Sequence, residues 1–398
     1  MSALLSTYNP APITIVSGHG CMLVDSDDRE YLDFIAGIAV CALGHAHPAI
    51  AEAIANQARR LVHASNLYTH EPANTLAKAL TSRSGMAAAF FCNSGTEANE
   101  AAIKLARKWA FRRNEPRRTT ILACTGSFHG RTLGALAATD NAKYREGFAP
   151  LPGGFGFARF NDVADLGAKT DDRVAAIIVE PVQGESGVHP ADRAFLRAAR
   201  SLCDERGALL IFDEIQCGMG RSGPLFAFQH FDVRPDVVTI AKALANGLPI
   251  GAMLAGERAA NAFAPGDHGS TFGGSPVPAA AALAHLCVRD ELGLEKNVKE
   301  RGAQLMSALH VLAKKHATIL GEPRGLGLLV GIPVRDPHDA KAIQASARER
   351  GLLIGTAGGN TLRFAPPLIV DEEQVTRAVA LLDEALDEAS QTKDSGPQ

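Results

Sequence analysis

The sequence predicts an α/β protein with a mostly parallel central sheet, and two observations carry that expectation. Apolar strand-like runs alternate with helical ones through the middle of the chain: 87–92 then 97–113, 119–124, 174–179 then 193–206, 208–212 and 237–240. Those strand-like runs are continuously apolar instead of alternating, which is the pattern of strands buried on both faces by covering helices. Past about residue 290 the texture changes to a charged helical segment, 291–315, and short strands near 326–332 and 362–364 with a helix between them. These read as a smaller α+β unit that the turn-and-strand pattern at 25–34 can join. The expected division is a large domain over residues 49–290 and a small one made from 1–48 and 291–398, with a polar, frayed tail at 389–398.

Composition narrows the function classes. A chain of 398 residues that is 46% hydrophobic has ample material for two packed units. Its formal net charge of −3, with scattered basic residues, supplies no stripe for nucleic acid or anionic membrane. The basic cluster Arg112, Arg113, Arg117 and Arg118 reads as a solvated helix end. No apolar run approaches the roughly 20 residues of a membrane span. No basic residue precedes Arg29, so a positively charged leader is not expected. Seven cysteines, odd in number and without a C-x-x-C pair, read as reduced fillers in a cytoplasmic protein. His45 and His47 form an H-x-H pair with no third ligand at useful spacing, so no metal site is expected.

In open α/β sheets, ligands bind beyond the carboxyl ends of the strands. Four such ends carry unusual residues. After 87–92 the chain turns through Asn93-Ser94-Gly95-Thr96 into a helix, where free N–H groups, Gly95 and two hydroxyls suit a phosphate, or simply an N-cap. After 119–124, Phe128 and Arg131 lie in a glycine-flanked loop; they can stack on a planar ligand and pair with a carboxylate, or cover the core edge. Asp213 and Glu214 follow an apolar run directly, and buried carboxylates need cationic partners. The G-M-G-R-S-G nearby matches a dinucleotide fingerprint only formally, because no helical pattern follows it. Finally, the run 237–240 delivers Lys242 into an uncharged stretch, where it can be a desolvated Schiff-base amine or a snorkelling side chain. Phosphate cradle, stacking ring, buried carboxylate and desolvated lysine are together what pyridoxal phosphate requires.

The runs YLDFIAGIAVCALGHAHP, SNLYTHEP, NSGTEANEAAIKLAR, FHGRTLGAL, VEPVQGESGV, LLIFDEIQCGMGRSG, TIAKALANGLPIGAM, HGSTFGGSP and LRFAPPL resemble the class III pyridoxal-phosphate aminotransferases, and within them the acetylornithine group. The resemblance implies the aspartate aminotransferase-like fold type I. It implies Lys242 as the Schiff-base and proton-shuttling lysine and Asp213 as partner of the pyridine nitrogen. Ser94, Gly95 and Thr96 would take the phosphate, Phe128 would stack on the ring, and Glu214, Ile215 and Gln216 would lie along the cofactor. Thr271 of a second subunit would complete the phosphate site, and a homodimer or a dimer of dimers is implied. Arg131 and Ser270 match substrate-holding positions, while Arg363 and Glu185 match an α-carboxylate-binding arginine and the acid that masks it.

The implied reaction moves the δ-amino group of N-acetylornithine to 2-oxoglutarate by a ping-pong route in arginine biosynthesis. The alternatives are succinylornithine, succinyldiaminopimelate, ornithine or 4-aminobutyrate as donor. Two stretches depart from the group's pattern: Cys41 stands where AVNALGH has an amide, and the ALANG run at 243–247 replaces a more glycine-rich loop. Ile38 falls where ornithine aminotransferases have a tyrosine, and an acyl amide tolerates an apolar wall better than a free ammonium.

Overall fold

A computed structural model describes residues 3–391; most of the expected frayed tail lies outside them. Its largest sheet has seven strands, here numbered β1 (Ala88–Cys92), β2 (Thr120–Cys124), β3 (Phe155–Ala158), β4 (Val174–Val179), β5 (Leu209–Asp213), β6 (Val237–Ile240) and β7 (Gly251–Ala255). Their spatial order is β1-β7-β6-β5-β4-β2-β3. β7 runs antiparallel to both neighbours; the other pairings are parallel.

Two-sided burial explains the continuous apolar strands. On β5, Leu209 and Ile211 pack into one core with Ile103 and Trp109 of helix Gly95–Arg112. Leu210 and Phe212 face the other core, with Phe195 and Leu196 of helix Arg193–Arg206. Successive side chains point to opposite faces, so a strand covered on both sides must be apolar throughout. Because β1, β2, β4, β5 and β6 point the same way, the residues following them gather along one edge of the sheet.

The N-terminal strands Ile15–His19, Met22–Asp25 and Glu30–Asp33 form a second sheet, completed by Leu352–Leu353 running parallel to Glu30–Asp33. A third, antiparallel sheet contains Arg324–Leu326, Leu329–Pro333, Gly355–Ala357 and Thr361–Phe364. The charged segment expected at 291–315 is a helix only from Leu294 to Lys315; Gly293, at φ 60°, separates it from helix Pro276–Glu291. After Glu30–Asp33, the short helical turn Ala36–Ala39 winds left-handed, with φ of 48°, 63°, 67° and 61° at successive residues. Three of those residues carry a Cβ, and each such conformation costs roughly 1–2 kcal/mol. The carboxylate of Asp33 holds the turn by accepting the N–H groups of Ile35 at 2.9 Å and Ala36 at 2.8 Å.

Candidate active site

The shared edge of strand ends opens a cavity of about 380 Å³, lined among others by Val40, Ser94, Gly95, Thr96, Phe128, Arg131, Glu180, Glu185, Asp213, Ile215, Gln216 and Lys242. Its floor is built around Asp213, which is 3% exposed. One carboxylate oxygen accepts hydrogen bonds from Asn99 Nδ2 at 2.7 Å and pairs with His129 Nδ1 at 2.7 Å. The other accepts the N–H of Ile215 at 3.0 Å. Asn99 is itself locked, accepting the Thr239 hydroxyl at 2.8 Å and donating to the His129 carbonyl at 2.8 Å. Asp213 is therefore held in one orientation at the end of β5.

Lys242 follows β6 by two residues and adopts φ 41° at the start of the turn Lys242–Ala245. Burial pulls its ammonium below the ordinary lysine range, against the opposing fields of Glu185, Asp213 and Glu180. Among the described residues no hydrogen bond or ion pair holds that ammonium. The turn is anchored by Asn246, whose side chain accepts the Leu43 N–H at 2.7 Å and donates to the Gly44 carbonyl at 3.1 Å. The unusual run after the lysine thus ties this strand end to the N-terminal segment.

At the end of β1, Ser94 caps helix Gly95–Arg112. Its hydroxyl oxygen accepts the Glu97 N–H at 3.3 Å, and Glu97 reaches back past the cap to the Asn93 N–H at 2.6 Å, a variant of the capping box. Capping and ligand binding are compatible here, because the Gly95 and Thr96 N–H groups take no partner among the described residues. A Cβ on Gly95 would meet Ile215 side-chain carbons at 2.8 Å, so the backbone is left bare by close packing. Thr96 Oγ1 also accepts the Arg131 N–H at 3.2 Å.

A second cluster stands across the cavity. Glu185 pairs with Arg363 Nη1 at 2.6 Å, and Gln216 Nε2 donates to the same carboxylate oxygen at 2.9 Å. Burial pushes the Glu185 carboxyl up, but the charges of Arg363 and Lys242 outweigh it and hold the group below its ordinary value. Arg363 comes from Thr361–Phe364, so two sheets build this pair.

Of the sequence-predicted residues, Glu214, Ser270 and Thr271 do not line the cavity, whereas Arg131 and Phe128 do. Glu214 turns away, accepting the N–H groups of Ala227 at 2.6 Å and Phe228 at 2.7 Å, and burial pushes its carboxyl up to about 8. Adjacent strand residues face opposite sides, so Asp213 and Glu214 cannot both enter one pocket. Thr271 is exposed on the surface, and Ser270 accepts Asn93 Nδ2 at 3.2 Å. Arg131 lies exposed over the Tyr144 ring, 3.7 Å from its centroid, and Phe128 meets the same ring edge-on at 6.0 Å.

Glu180, Asn99, His129 and Tyr144 escaped the sequence reading. Glu180 carried a signal: like Asp213 it directly follows an apolar run. It is buried, accepts the Phe128 N–H at 3.1 Å, and is pushed well above the usual carboxylate range by burial and then by the charge of Asp213.

The profile of the family described as aminotransferase class-III matches residues 5–386. The chain is a class-III aminotransferase. A curated acetylornithine aminotransferase from Caldanaerobacter subterraneus subsp. tengcongensis is 48% identical to it, covering 97% of each chain. Among solved structures, the ornithine aminotransferase of Toxoplasma gondii superposes with a TM-score of 0.94 at 32% identity, over 98% of this chain and 94% of that one. The N-acetylornithine aminotransferase of Stenotrophomonas maltophilia superposes at 0.85 with 38% identity, over 97% and 99%. The class-III family and the fold type I architecture are those expected from the motifs. The cavity suits pyridoxal phosphate: bare N–H groups at a helix start for a phosphate, a fixed carboxylate for a protonated ring nitrogen, and an unpaired buried amine.

Proposed function

We propose that this aminotransferase transfers the δ-amino group of N-acetylornithine to 2-oxoglutarate, yielding N-acetylglutamate 5-semialdehyde and glutamate in arginine biosynthesis. The observation that carries the reading is the 2.6 Å Glu185–Arg363 pair beside the Lys242 cavity. One site must accept a substrate reacting through its side-chain amine and another binding by its α-carboxylate, and a movable acid over an arginine serves both. The near-full-length similarity to acetylornithine aminotransferases supports the choice of donor.

Pyridoxal phosphate, when bound, supplies the carbonyl carbon that takes up the amine and the ring that accepts electrons as the neighbouring C–H bond breaks. Gly95 and Thr96 would hold its phosphate, completed by Thr271 of a second copy in a homodimer, and Phe128 and Ile215 would line its ring. Asp213, fixed by Asn99 and His129, would keep a proton at the ring nitrogen. Lys242 would hold the aldehyde carbon, and its amine is the base placed to take the proton from substrate carbon. Desolvation favours the neutral amine that this step needs. Arg131 and Ser270 are assigned to the acetylated end. The same reading makes residues 49–290 the cofactor-binding domain and gives Arg363 to a smaller one, 1–48 and 291–398.

Single-turnover spectroscopy with N-acetylornithine, succinylornithine, succinyldiaminopimelate, ornithine and 4-aminobutyrate tests the donor. N-acetylornithine should convert the cofactor band fastest; a band left untouched by it but bleached by 4-aminobutyrate refutes the assignment. Borohydride should fix the cofactor on the Lys242 peptide, and turnover persisting in Lys242→Ala would remove the lysine from the mechanism.

A further inference from the structure

Two arginines reach the Lys242 site, and they are kept in place by opposite means. Arg363 is buried and paired with Glu185 at 2.6 Å, so a carboxylate that takes its guanidinium must first displace an acid. Arg131 lines the cavity directly. Its backbone N–H goes to Thr96 Oγ1 at 3.2 Å, but among the described residues its side chain makes no hydrogen bond or ion pair. The guanidinium is held by aromatic rings instead: Cζ stands 3.7 Å from the centroid of the Tyr144 ring and 5.6 Å from that of Phe128.

Both rings are themselves fixed. Phe128 lines the cavity and gives its N–H to the buried Glu180 at 3.1 Å. Tyr144 is half-buried and stands behind the lining, in the helical turn Ala142–Arg145, where the Asn141 side chain accepts its N–H at 3.4 Å. Its ring meets Phe128 edge-on, with centroids 6.0 Å apart and planes at 81°. An exposed arginine has many rotamers, and a ligand that must order it binds more weakly. An ion pair would order the side chain by occupying its donors. A ring face orders it and leaves all five N–H groups of the planar fork free.

We propose that Tyr144 is a positioning residue for the amino donor: its ring face holds the Arg131 guanidinium at the cavity with its donors free, so that the donor's carboxylate is taken without displacing an acid. The inference rests on the assignment of Arg131 to the acetylated end of the donor, the end at which N-acetylornithine also carries its only carboxylate. Tyr144 does not line the cavity, so it acts through Arg131. The two arginines then divide the work. While Glu185 covers Arg363, Arg131 is the one uncovered fork, and a donor with a single carboxylate is drawn to one orientation.

The test compares kcat/KM of the full-length holoenzyme for N-acetylornithine and for N-acetylputrescine, the same amine with hydrogen in place of the carboxylate. Their ratio measures what the carboxylate contributes. Tyr144→Leu keeps apolar bulk and removes the ring face; it should lower the ratio roughly fivefold, through a raised KM for N-acetylornithine. Tyr144→Phe keeps the face and should stay within about twofold of the parent ratio. In calorimetry, N-acetylnorvaline, which has the carboxylate end without the reacting amine, should bind Tyr144→Leu roughly fivefold more weakly. A leucine variant that slows both amines equally, or binds N-acetylnorvaline as the parent does, overturns the proposal. So does a phenylalanine variant as damaged as the leucine one, which would assign the effect to the hydroxyl. Arg131→Ala separates this inference from the reading beneath it. A ratio that survives there removes Arg131 from donor binding and the proposal with it, whereas a ratio lost there but intact in Tyr144→Leu overturns the positioning role alone. If 4-aminobutyrate proves to be the donor, the ratio is taken against propylamine and the same outcomes decide.

Discussion

The Glu185–Arg363 pair makes a quantitative prediction about the second half-reaction. An incoming α-carboxylate must displace Glu185 from Arg363 Nη1, a 2.6 Å charge-assisted contact at a guanidinium that is 4% exposed. Hydrogen bonds to charged groups contribute about 1.5–3 kcal/mol net, and are roughly twice as strong as neutral ones. In Glu185→Gln the amide keeps about half of that, so displacement becomes easier by about 0.8–1.5 kcal/mol, up to roughly tenfold in affinity. Arg363 also keeps a buried, unpartnered Nε among the described residues, which a carboxylate could use. The assay is a half-reaction titration of the amine form of the enzyme with 2-oxoglutarate. The dissociation constant should fall by up to roughly tenfold, with no gain in kcat/KM for the acylated donor. A constant that stays the same or rises would show that Glu185 does not mask the arginine, and the dual-substrate reasoning would fail.

Two further perturbations probe the scaffold. His285 is fully buried, with Nδ1 on the Leu244 carbonyl at 3.2 Å and burial pulling its pKa down to about 4. The unfolded chain binds this proton at higher pH, so the stability contribution is present above about 6.5 and is lost as pH falls toward 4. Urea melts should lose about 3 kcal/mol across that window, and His285→Asn should flatten the slope; an unchanged slope refutes the assignment. Gly302 lies inside helix Leu294–Lys315, where an added Cβ would stand 2.5 Å from the Gly327 carbonyl oxygen. Backbone cannot swing aside, so Gly302→Ala should destabilise by about 1–2 kcal/mol despite alanine's better helix propensity, and a raised urea midpoint would contradict the packing.

How much of the site was legible depended on whether a residue's reason was local. Lys242, Asp213 and the Ser94–Thr96 turn each break a local rule in the sequence, a charge after an apolar run or a polar turn before a helix. Glu180 breaks the same rule and could have been read the same way. Asn99 and His129 gave no such sign, since a polar residue in a helix or loop is ordinary until Asp213 is brought within 2.7 Å of both. Glu214 shows the converse. Its charge resembled that of Asp213, and only strand alternation sends it to the Ala227 and Phe228 amides.

By itself, then, the sequence determined the α/β class, the strands buried on both faces, and the residues left at the strand ends, because hydrophobic periodicity and chain breaks are properties of neighbouring residues. The tertiary structure alone decided which distant groups meet. It joined Leu352–Leu353 to the N-terminal strand Glu30–Asp33, brought Arg363 onto Glu185, and set Asn99 and His129 on Asp213. Such encounters depend on strand order and register, and on a left-handed turn at Ala36–Ala39 that local propensity disfavours and the surrounding contacts impose.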